Sequence, residues 1–207
     1  MSPHPTGVAS SGQPGLATLS PSWNNPAAMR APSAEFAVLG ALLAGPAHGY
    51  RLRRRLEAGL GPIWHIAPSQ LYSLLSRLER EGLVEGVVEA QGARPPRRVF
   101  SLTPAGERAF WDWATAPVRH ARDVRLELLA KLYFLRRHAP ERIPALLSAQ
   151  AERLERLRAR LARLEGLPSD DPWLGRLAAR FRLRQLEGLL AWLEEARTSY
   201  LEEVSGA

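Results

Sequence analysis

A helix-forming stretch at residues 68–82 carries polar side chains whose types and spacing suit hydrogen bonding to a nucleic acid. At helical periodicity, Ser69 and Ser73 fall on one face, and Gln70 and Tyr72 flank that face. Short hydroxyl side chains let a helix lie deep in a DNA major groove, and glutamine can pair with adenine through two hydrogen bonds. We therefore predict that Ser69, Gln70 and Ser73 approach base edges.

Side chains that can contact phosphates lie beside this stretch and after it. Tyr72 and Arg77 flank its polar face, and we predict that both contact phosphates. A Gly- and Pro-rich tip follows, flanked by Arg94, Arg97 and Arg98, which we predict to lie on phosphate or in the minor groove. The alternative interpretation is a surface helix with serines, followed by a solvated basic loop.

The elements that must position these residues follow the order of a winged helix-turn-helix. Ser33 is a candidate N-cap for the first helix, and Gly45 ends that helix. Two β-prone runs on either side of the basic tip predict a hairpin. The predicted order is three helices, a hairpin and a fourth helix, over residues 34–44, 48–58, 68–82, 83–102 and 103–115.

Beyond Pro117 the pattern predicts only helices, over residues 124–138, 141–165 and 173–203. The second of these has a strict 4-3 spacing of apolar residues, with one glutamine among them, which is typical of a coiled-coil seam. The seam could pair with a second copy of the chain or with another helix of the tail. We predict dimerisation through Leu147, Gln150, Leu154, Leu157, Leu161 and Leu164.

The predicted fold class is thus mainly α with a small β-hairpin wing. It combines a winged helix-turn-helix domain at residues 33–116 with a helical, coiled-coil-like dimerisation domain at residues 117–207. Residues 1–32 are rich in Ser, Pro, Gly and Ala and predict a disordered tail.

Composition narrows the classes of function. The net charge of +7 favours a polyanionic partner. The absence of cysteine excludes disulfides and thiolate metal sites, and it fits the cytoplasm. No apolar run approaches the ~20 residues that span a bilayer, so we expect no membrane partner. The histidines are scattered and no phosphate-binding or nucleophile motif occurs, so we predict no enzyme, no metal and no cofactor.

Three motifs in this order resemble the PadR family of bacterial transcriptional regulators. They are His-Gly-Tyr-Arg-Leu at 48–52, Leu-Tyr-Ser-Leu-Leu-Ser-Arg-Leu-Glu-Arg-Glu-Gly-Leu-Val at 71–84 and Arg-Val-Phe-Ser-Leu-Thr-Pro-Ala-Gly at 98–106. Ser73 stands where the family usually has proline, and Phe100 stands where it usually has tyrosine. The resemblance covers residues 34–116, and Leu-Glu-Leu-Leu-Ala-Lys-Leu-Tyr-Phe at 126–134 is similar to the longer-tailed PadR branch.

The resemblance implies a cytoplasmic, nucleoid-associated homodimer that binds a double-stranded DNA operator and usually represses. It also implies a small aromatic effector that releases the DNA, for which Trp111 and Trp113 are the candidate contacts. Residues two apart cannot share one helix face, so one of these tryptophans is expected to pack in the core. The alternative function is a winged-helix module for protein–protein contacts without specific DNA binding.

Overall fold

The structure is a computed structural model and describes residues 34–62, 65–91, 94–164 and 170–206. The predicted disordered tail at residues 1–32 and the predicted cap Ser33 lie outside these ranges. The described elements follow the predicted order of three helices, a hairpin, a fourth helix and a helical tail. The fold is mainly α-helical with a small antiparallel sheet, which confirms the predicted fold class.

Three short helices pack around a leucine-rich core. They are α1 (Ala34–Leu43), α2 (Gly49–Leu60) and α3 (Pro68–Arg80). Proline suits the first turn of a helix because its missing N–H has no partner there, and Pro68 holds that position in α3. Gly82, with φ at +70°, ends the helix in the left-handed conformation that glycine adopts most easily. Both ends of α3 are therefore where the sequence predicted them.

The sheet has one strand more than the sequence predicted. Strands β2 (Val84–Gln91) and β3 (Arg94–Leu102) form the antiparallel hairpin, and β1 (Ala47–His48) pairs with the other edge of β3. A strand of two residues has no alternation to detect, so β1 leaves no sequence pattern. β3 also begins three residues earlier than predicted. Its prolines are tolerated because β1 pairs only with Val99 and Phe100, which leaves one edge open near the tip.

Helix α4 (Pro104–Thr115) is capped by a side chain that also reaches the end of α3. The Thr103 hydroxyl accepts a hydrogen bond from the Gly106 N–H at 3.0 Å and donates one to the Gly82 carbonyl at 2.7 Å. Gly106 lies directly under Leu83, whose carbonyl oxygen would overlap a Cβ at that position. The start of α4 is thus locked to the turn after α3.

The tail consists of α5 (Leu129–His138), α6 (Ile143–Leu164) and α7 (Pro172–Ser205). A wide π-helical turn, Val124–Leu128, precedes α5, where the sequence predicted one continuous helix from Val124. A π turn inserts a residue without any change in composition, so apolar periodicity does not separate it from an α turn.

The predicted seam of α6 is covered at its start by the chain itself. Leu147 and Leu154 are buried, and Gln150 between them has no exposed surface. Its Oε1 accepts a hydrogen bond of 2.6 Å from the N–H of Val118, in the loop after α4. The one polar member of the seam therefore ties α6 to the loop that follows α4.

The later part of the seam is less covered. Leu157 and Leu161 are half-buried, and α7 packs along α6 with Leu186 and Leu193 buried. The side chain of Leu164 lies outside the described part of the structure. Packing within the chain accounts for the first residues of the seam, and pairing of the seam between two copies stays a prediction.

A buried polar cluster joins α4 to the tail. Lys131, the only lysine, is 1% exposed. Its Nζ donates to the Ala116 carbonyl at 2.7 Å, pairs with Glu127 at 3.0 Å and lies 5.0 Å from the centre of the Trp113 ring. Glu127 also accepts a hydrogen bond of 3.1 Å from the Trp113 indole. Burial lowers the pKa of Lys131, and Glu127 opposes that effect.

Lys131→Met should destabilise the protein strongly. The change leaves the Glu127 carboxylate buried without its cation, which typically costs about 3 kcal/mol of the free energy of unfolding. The double variant Glu127→Gln with Lys131→Met should lose less, because no unpaired charge remains and the new amide oxygen can still accept the Trp113 hydrogen bond. Urea denaturation measures the free energy of unfolding of both variants. Equal losses would show that the unpaired charge of Glu127 does not cause the destabilisation.

Candidate nucleic-acid interface

Helix α3 presents a polar face to solvent because its leucines are fixed in the core. Leu71, Leu74, Leu75 and Leu78 are buried, with at most 8% of each exposed. The opposite face is exposed and consists of Ser69, Tyr72, Ser73, Ser76 and Arg80. Short side chains predominate on this face, so another molecule can approach the helix backbone closely.

The first turn of α3 contains the residues predicted to read bases. Ser69 and Ser73 are exposed there, as predicted. Gln70 is exposed too, but its Oε1 accepts a hydrogen bond of 3.3 Å from the Ala67 N–H, so it caps the helix. A Gln70 that pairs with adenine through both amide atoms would have to release this cap.

Tyr72 connects α3 to the start of α2. Its ring lies so close to Gly49 that a Cβ on Gly49 would be 2.6 Å from the Tyr72 Cε1. The neighbouring Tyr50 is exposed, and the Arg53 guanidinium lies 5.7 Å from its ring centre. Two exposed tyrosines therefore stand where the polar face of α3 meets the first turn of α2. Tyr50 is not among the predicted contacts, although Gly-Tyr belongs to the first motif.

Arg77 forms ion pairs within the chain. It is half-buried, and its guanidinium forms an ion pair with Glu35 of α1 and lies 3.8 Å from Glu81. The structure therefore uses Arg77 to tie α3 to α1. The sequence did not reveal the pair, because Glu35 and Arg77 are 42 residues apart.

The hairpin Val84–Leu102, which we call the wing, is clamped to α3 by one carboxylate. Glu79 accepts hydrogen bonds from Arg98 at 2.7 and 2.8 Å, and its Oε1 also accepts one of 3.1 Å from the Gly86 N–H. Arg97 faces Glu89 across the strands at 3.6 Å, and both wing arginines are about half exposed. The side chain of Arg94 lies outside the described part of the structure.

Sequence reasoning missed Glu79, although it lies in the second motif. Its position within a Leu-Glu-x-x-Gly-Leu pattern was the available signal. A Cβ on Gly86 would lie 2.8 Å from the Glu79 Oε1 and 2.7 Å from the Arg98 Nε, so the clamp has no room for a larger residue.

The arginines of α2 divide into two groups. Arg55 donates to the carbonyls of Ala41 at 3.0 Å and Gly45 at 2.7 Å, and thereby completes the end of α1. Burial and the neighbouring Arg51 lower the pKa of Arg55. Arg51 and Arg54 are exposed, whereas their neighbour Arg55 is directed to the end of α1, because consecutive helix residues point in different directions.

Two family models match consecutive parts of the chain. Residues 38–112 match the Transcriptional regulator PadR-like family. Residues 124–200 match Virulence activator alpha C-term, which marks the longer C-terminal branch. The chain therefore contains a PadR-like domain. The first match spans α2, α3 and the wing, and the second spans most of the tail.

Several known proteins are similar to this chain. The negative transcriptional regulator PadR of Bacillus subtilis (strain 168) is 27% identical over 132 residues, which are 64% of this chain and 71% of that protein. The crystal structure of Bacillus subtilis PadR with operator DNA is 22% identical, with a TM-score of 0.41 over 80% of this chain and 96% of that one. The Vibrio cholerae virulence activator AphA is 25% identical, with a TM-score of 0.35 over 80% and 96%.

The two tryptophans proposed as effector contacts lie in different surroundings in this PadR-like chain. Trp113 is buried, stacks on Phe36 at 5.0 Å between ring centres and donates to Glu127. Trp111 is half-buried under the Arg142 guanidinium, which lies 4.9 Å from its ring centre. Trp113 is thus the member of the pair that packs in the core.

Among the described residues, no cluster of three or more histidine, aspartate or glutamate side chains could hold a metal ion. The helices in the same ranges are all too short or too polar to cross a bilayer.

Gly49→Ala should weaken DNA binding by this PadR-like protein. The new Cβ would meet the Tyr72 ring at 2.6 Å, so the ring must leave the start of α2. Gly188→Ala is the matched control, because a Cβ at that helical position meets nothing within 4 Å. Anisotropy of labelled DNA measures both variants, and equal affinities would show that the Tyr72 position is unimportant for binding.

Proposed function

We propose that this protein is a homodimeric repressor that binds a specific double-stranded DNA operator through α3 and the wing. The orientation of α3 carries the proposal, because its buried leucines direct the serine face to solvent. The PadR-like family whose model matches residues 38–112 consists of transcriptional regulators. The Bacillus subtilis relative is named a negative regulator, which supports repression.

The DNA contacts divide between bases and backbone. Ser69 and Ser73 approach base edges from the first turns of α3, where recognition helices usually read sequence. Tyr72 and the wing residues Arg97 and Arg98 contact phosphates on either side. The clamp by Glu79 supports this arrangement, since it holds the basic wing beside α3 before DNA arrives.

Three further residues add to the proposed contacts. Gln70 reads adenine after it releases the Ala67 N–H. Arg77, which pairs with Glu35, contacts a phosphate. Arg94, at the start of β3, adds a cation near the wing tip. We infer that residues 33–116 form the DNA-binding domain and that residues 117–207 form the dimerisation domain.

An exposed apolar stripe on α7 supports dimerisation. Trp173, Leu174, Leu177 and Phe181 are each at least half exposed. By helical periodicity they lie opposite the face that buries Leu186 against the rest of the tail. An exposed apolar patch of this kind commonly marks a protein interface. We infer that this stripe, together with the less covered end of the α6 seam, packs against a second copy.

The proposed regulator acts in the cytoplasm, at the nucleoid, and catalyses no reaction. The similarity to a negative transcriptional regulator, over 71% of that relative's length, supports this part of the proposal. We further propose that a small molecule binds the protein and releases it from the operator.

A protein-contact module is the second candidate, and two observations favour it. Val87 and Val88 on the outer strand of the wing are 59% and 66% exposed, which is unusual for a surface that only meets phosphates. The wing arginines also lie beside acids of the same chain, which reduces the local positive charge. Such a module would bind DNA weakly and without sequence preference.

Fluorescence anisotropy across a salt series separates the two candidates. The full chain is titrated onto DNA from upstream of its own gene and onto scrambled DNA of equal length. A repressor with a local operator should prefer the upstream DNA, and its affinity should fall steeply with salt because counterions are released. Weak and equal binding to both, with a shallow salt slope, would favour the protein-contact module.

Arg97→Ala with Arg98→Ala should weaken binding to operator and scrambled DNA alike. Each lost phosphate contact should reduce the slope of log affinity against log salt by about 0.9. Arg156→Ala with Arg158→Ala is the matched control, because it removes the same charge from two exposed arginines that also pair with glutamates. Equal slopes for the two double variants would show that Arg97 and Arg98 do not contact phosphates.

Leu177→Glu with Phe181→Glu should convert the dimer to a monomer, because four charges would face each other across the proposed two-fold interface. The conservative change Leu177→Met with Phe181→Leu should leave the dimer intact, since it keeps the apolar volume. Sedimentation equilibrium measures the mass of each variant. A glutamate variant that stays dimeric would place the interface elsewhere.

A further inference from the structure

The side chains of the wing alternate between two faces, and one of these faces adjoins α3. In an antiparallel hairpin, residues two apart on one strand lie on the same face, as do residues directly opposite each other on the two strands. On the face that we call the inner face, Val84 and Phe100 are buried, and Arg98 is bonded to Glu79 of α3. The alternation then assigns the other residues of β2 to one face or the other.

Val88 lies on the inner face, two residues nearer the tip of the hairpin than Gly86, whose N–H donates to Glu79. It is directly opposite Arg98 on the partner strand. The register of the hairpin shifts only after Glu89, so the shift does not change the face on which Val88 lies. Val88 is 66% exposed. Beyond the contact with α3, the inner face thus presents an apolar side chain that is not part of the core.

The carboxylates of β2 lie on the opposite face of the hairpin, which we call the outer face. Glu85 and Glu89 each interact with a residue of β3 there. Val87 is on the outer face too, and it is 59% exposed. A polyanion that approaches the inner face would therefore meet Arg98 and Val88 but no carboxylate of β2.

We propose that Val88 enters the DNA minor groove beside each half-site and selects A·T base pairs there, an inference that rests on the proposed function. The two grooves alternate along the duplex, so a hairpin held beside a helix in the major groove adjoins the neighbouring minor groove. That groove is about 6 Å wide, so it admits single side chains but no helix. Apolar side chains enter the minor groove in many architectural DNA-binding proteins.

The selection of A·T pairs follows from the chemistry of the base edges. Both kinds of base pair present acceptors in the minor groove, and a G·C pair adds the guanine amino group as a donor. Valine has no acceptor, so a G·C pair beneath Val88 would lose the hydration of that amino group without gaining a hydrogen bond. A·T tracts also have a narrow minor groove with a more negative potential, which attracts arginine. Val88 and its neighbour Arg98 therefore favour the same sequence.

DNA with 2,6-diaminopurine in place of every adenine tests the selection. Each A·T pair then gains an amino group in the minor groove, while its major-groove edge keeps the same donor and acceptor. Anisotropy compares binding of the full chain to the preferred upstream DNA in normal and substituted form. Substitution should weaken binding about tenfold, the size of one unfavourable base pair. Equal affinity for the two forms would overturn the inference alone, whereas no binding to normal DNA would overturn the proposed function and the inference together.

Two serine variants assign the effect to one face of the wing. Val88→Ser should reduce the difference between the two DNA forms to about twofold, because a hydroxyl can accept a hydrogen bond from the added amino group. Val87→Ser is the matched control, since it makes the same change at similar exposure on the outer face, and it should keep the full difference. A Val88→Ser protein that keeps the tenfold difference, or a Val87→Ser protein that loses it, would overturn the assignment to Val88.

Discussion

The burial of Lys131 is the constraint on which the arrangement of the two halves depends. An ammonium group without solvent must be paired and hydrogen-bonded, and here its partners come from three places: the carbonyl after α4, the carboxylate of the π-helical turn, and the indole of α4. Gln150 adds a second polar tie from α6 to the same loop. The loop between the halves is therefore held from both sides, and one continuous core of buried residues runs from α1 to α7.

The surface formed by α3 and the wing is also organised by ion pairs, but these pairs are more exposed than Lys131. Charged groups at the surface of α3 do not all point outward, because Arg77 is directed to α1 and Glu79 to the wing. These pairs orient α3 and the wing as one surface, while the serines between them stay open. Rigid orientation of the contact groups reduces the conformational entropy lost on binding. The interface thus depends as much on residues that face inward as on those that would contact DNA.

The sequence predicted the helices, the hairpin and the exposed face of α3, because each follows from local periodicity and end signals such as Pro68 and Gly82. It did not predict β1 or the π-helical turn, whose patterns are too short or indistinguishable from α-helix. The sequence did not predict the ion pairs between distant residues, for another reason. Glu35 with Arg77 and Arg136 with Glu203 join residues 42 and 67 positions apart, and nothing local marks them as partners.

The shared core has a consequence for the kind of operator that such a dimer could accept. Proteins with a flexible linker between reading head and dimer contact tolerate variable gaps between half-sites. Here α4 passes into the tail through a loop fixed by Lys131 and Gln150, so in the proposed dimer the length and angle of the tail helices would set the separation of the two DNA-binding domains. Successive turns of DNA repeat at about 34 Å. A dimer with a fixed separation between its two DNA-binding domains would therefore accept only one spacing between half-sites. Operators whose half-sites are displaced by even a few base pairs would present the wrong face of the duplex to the second head.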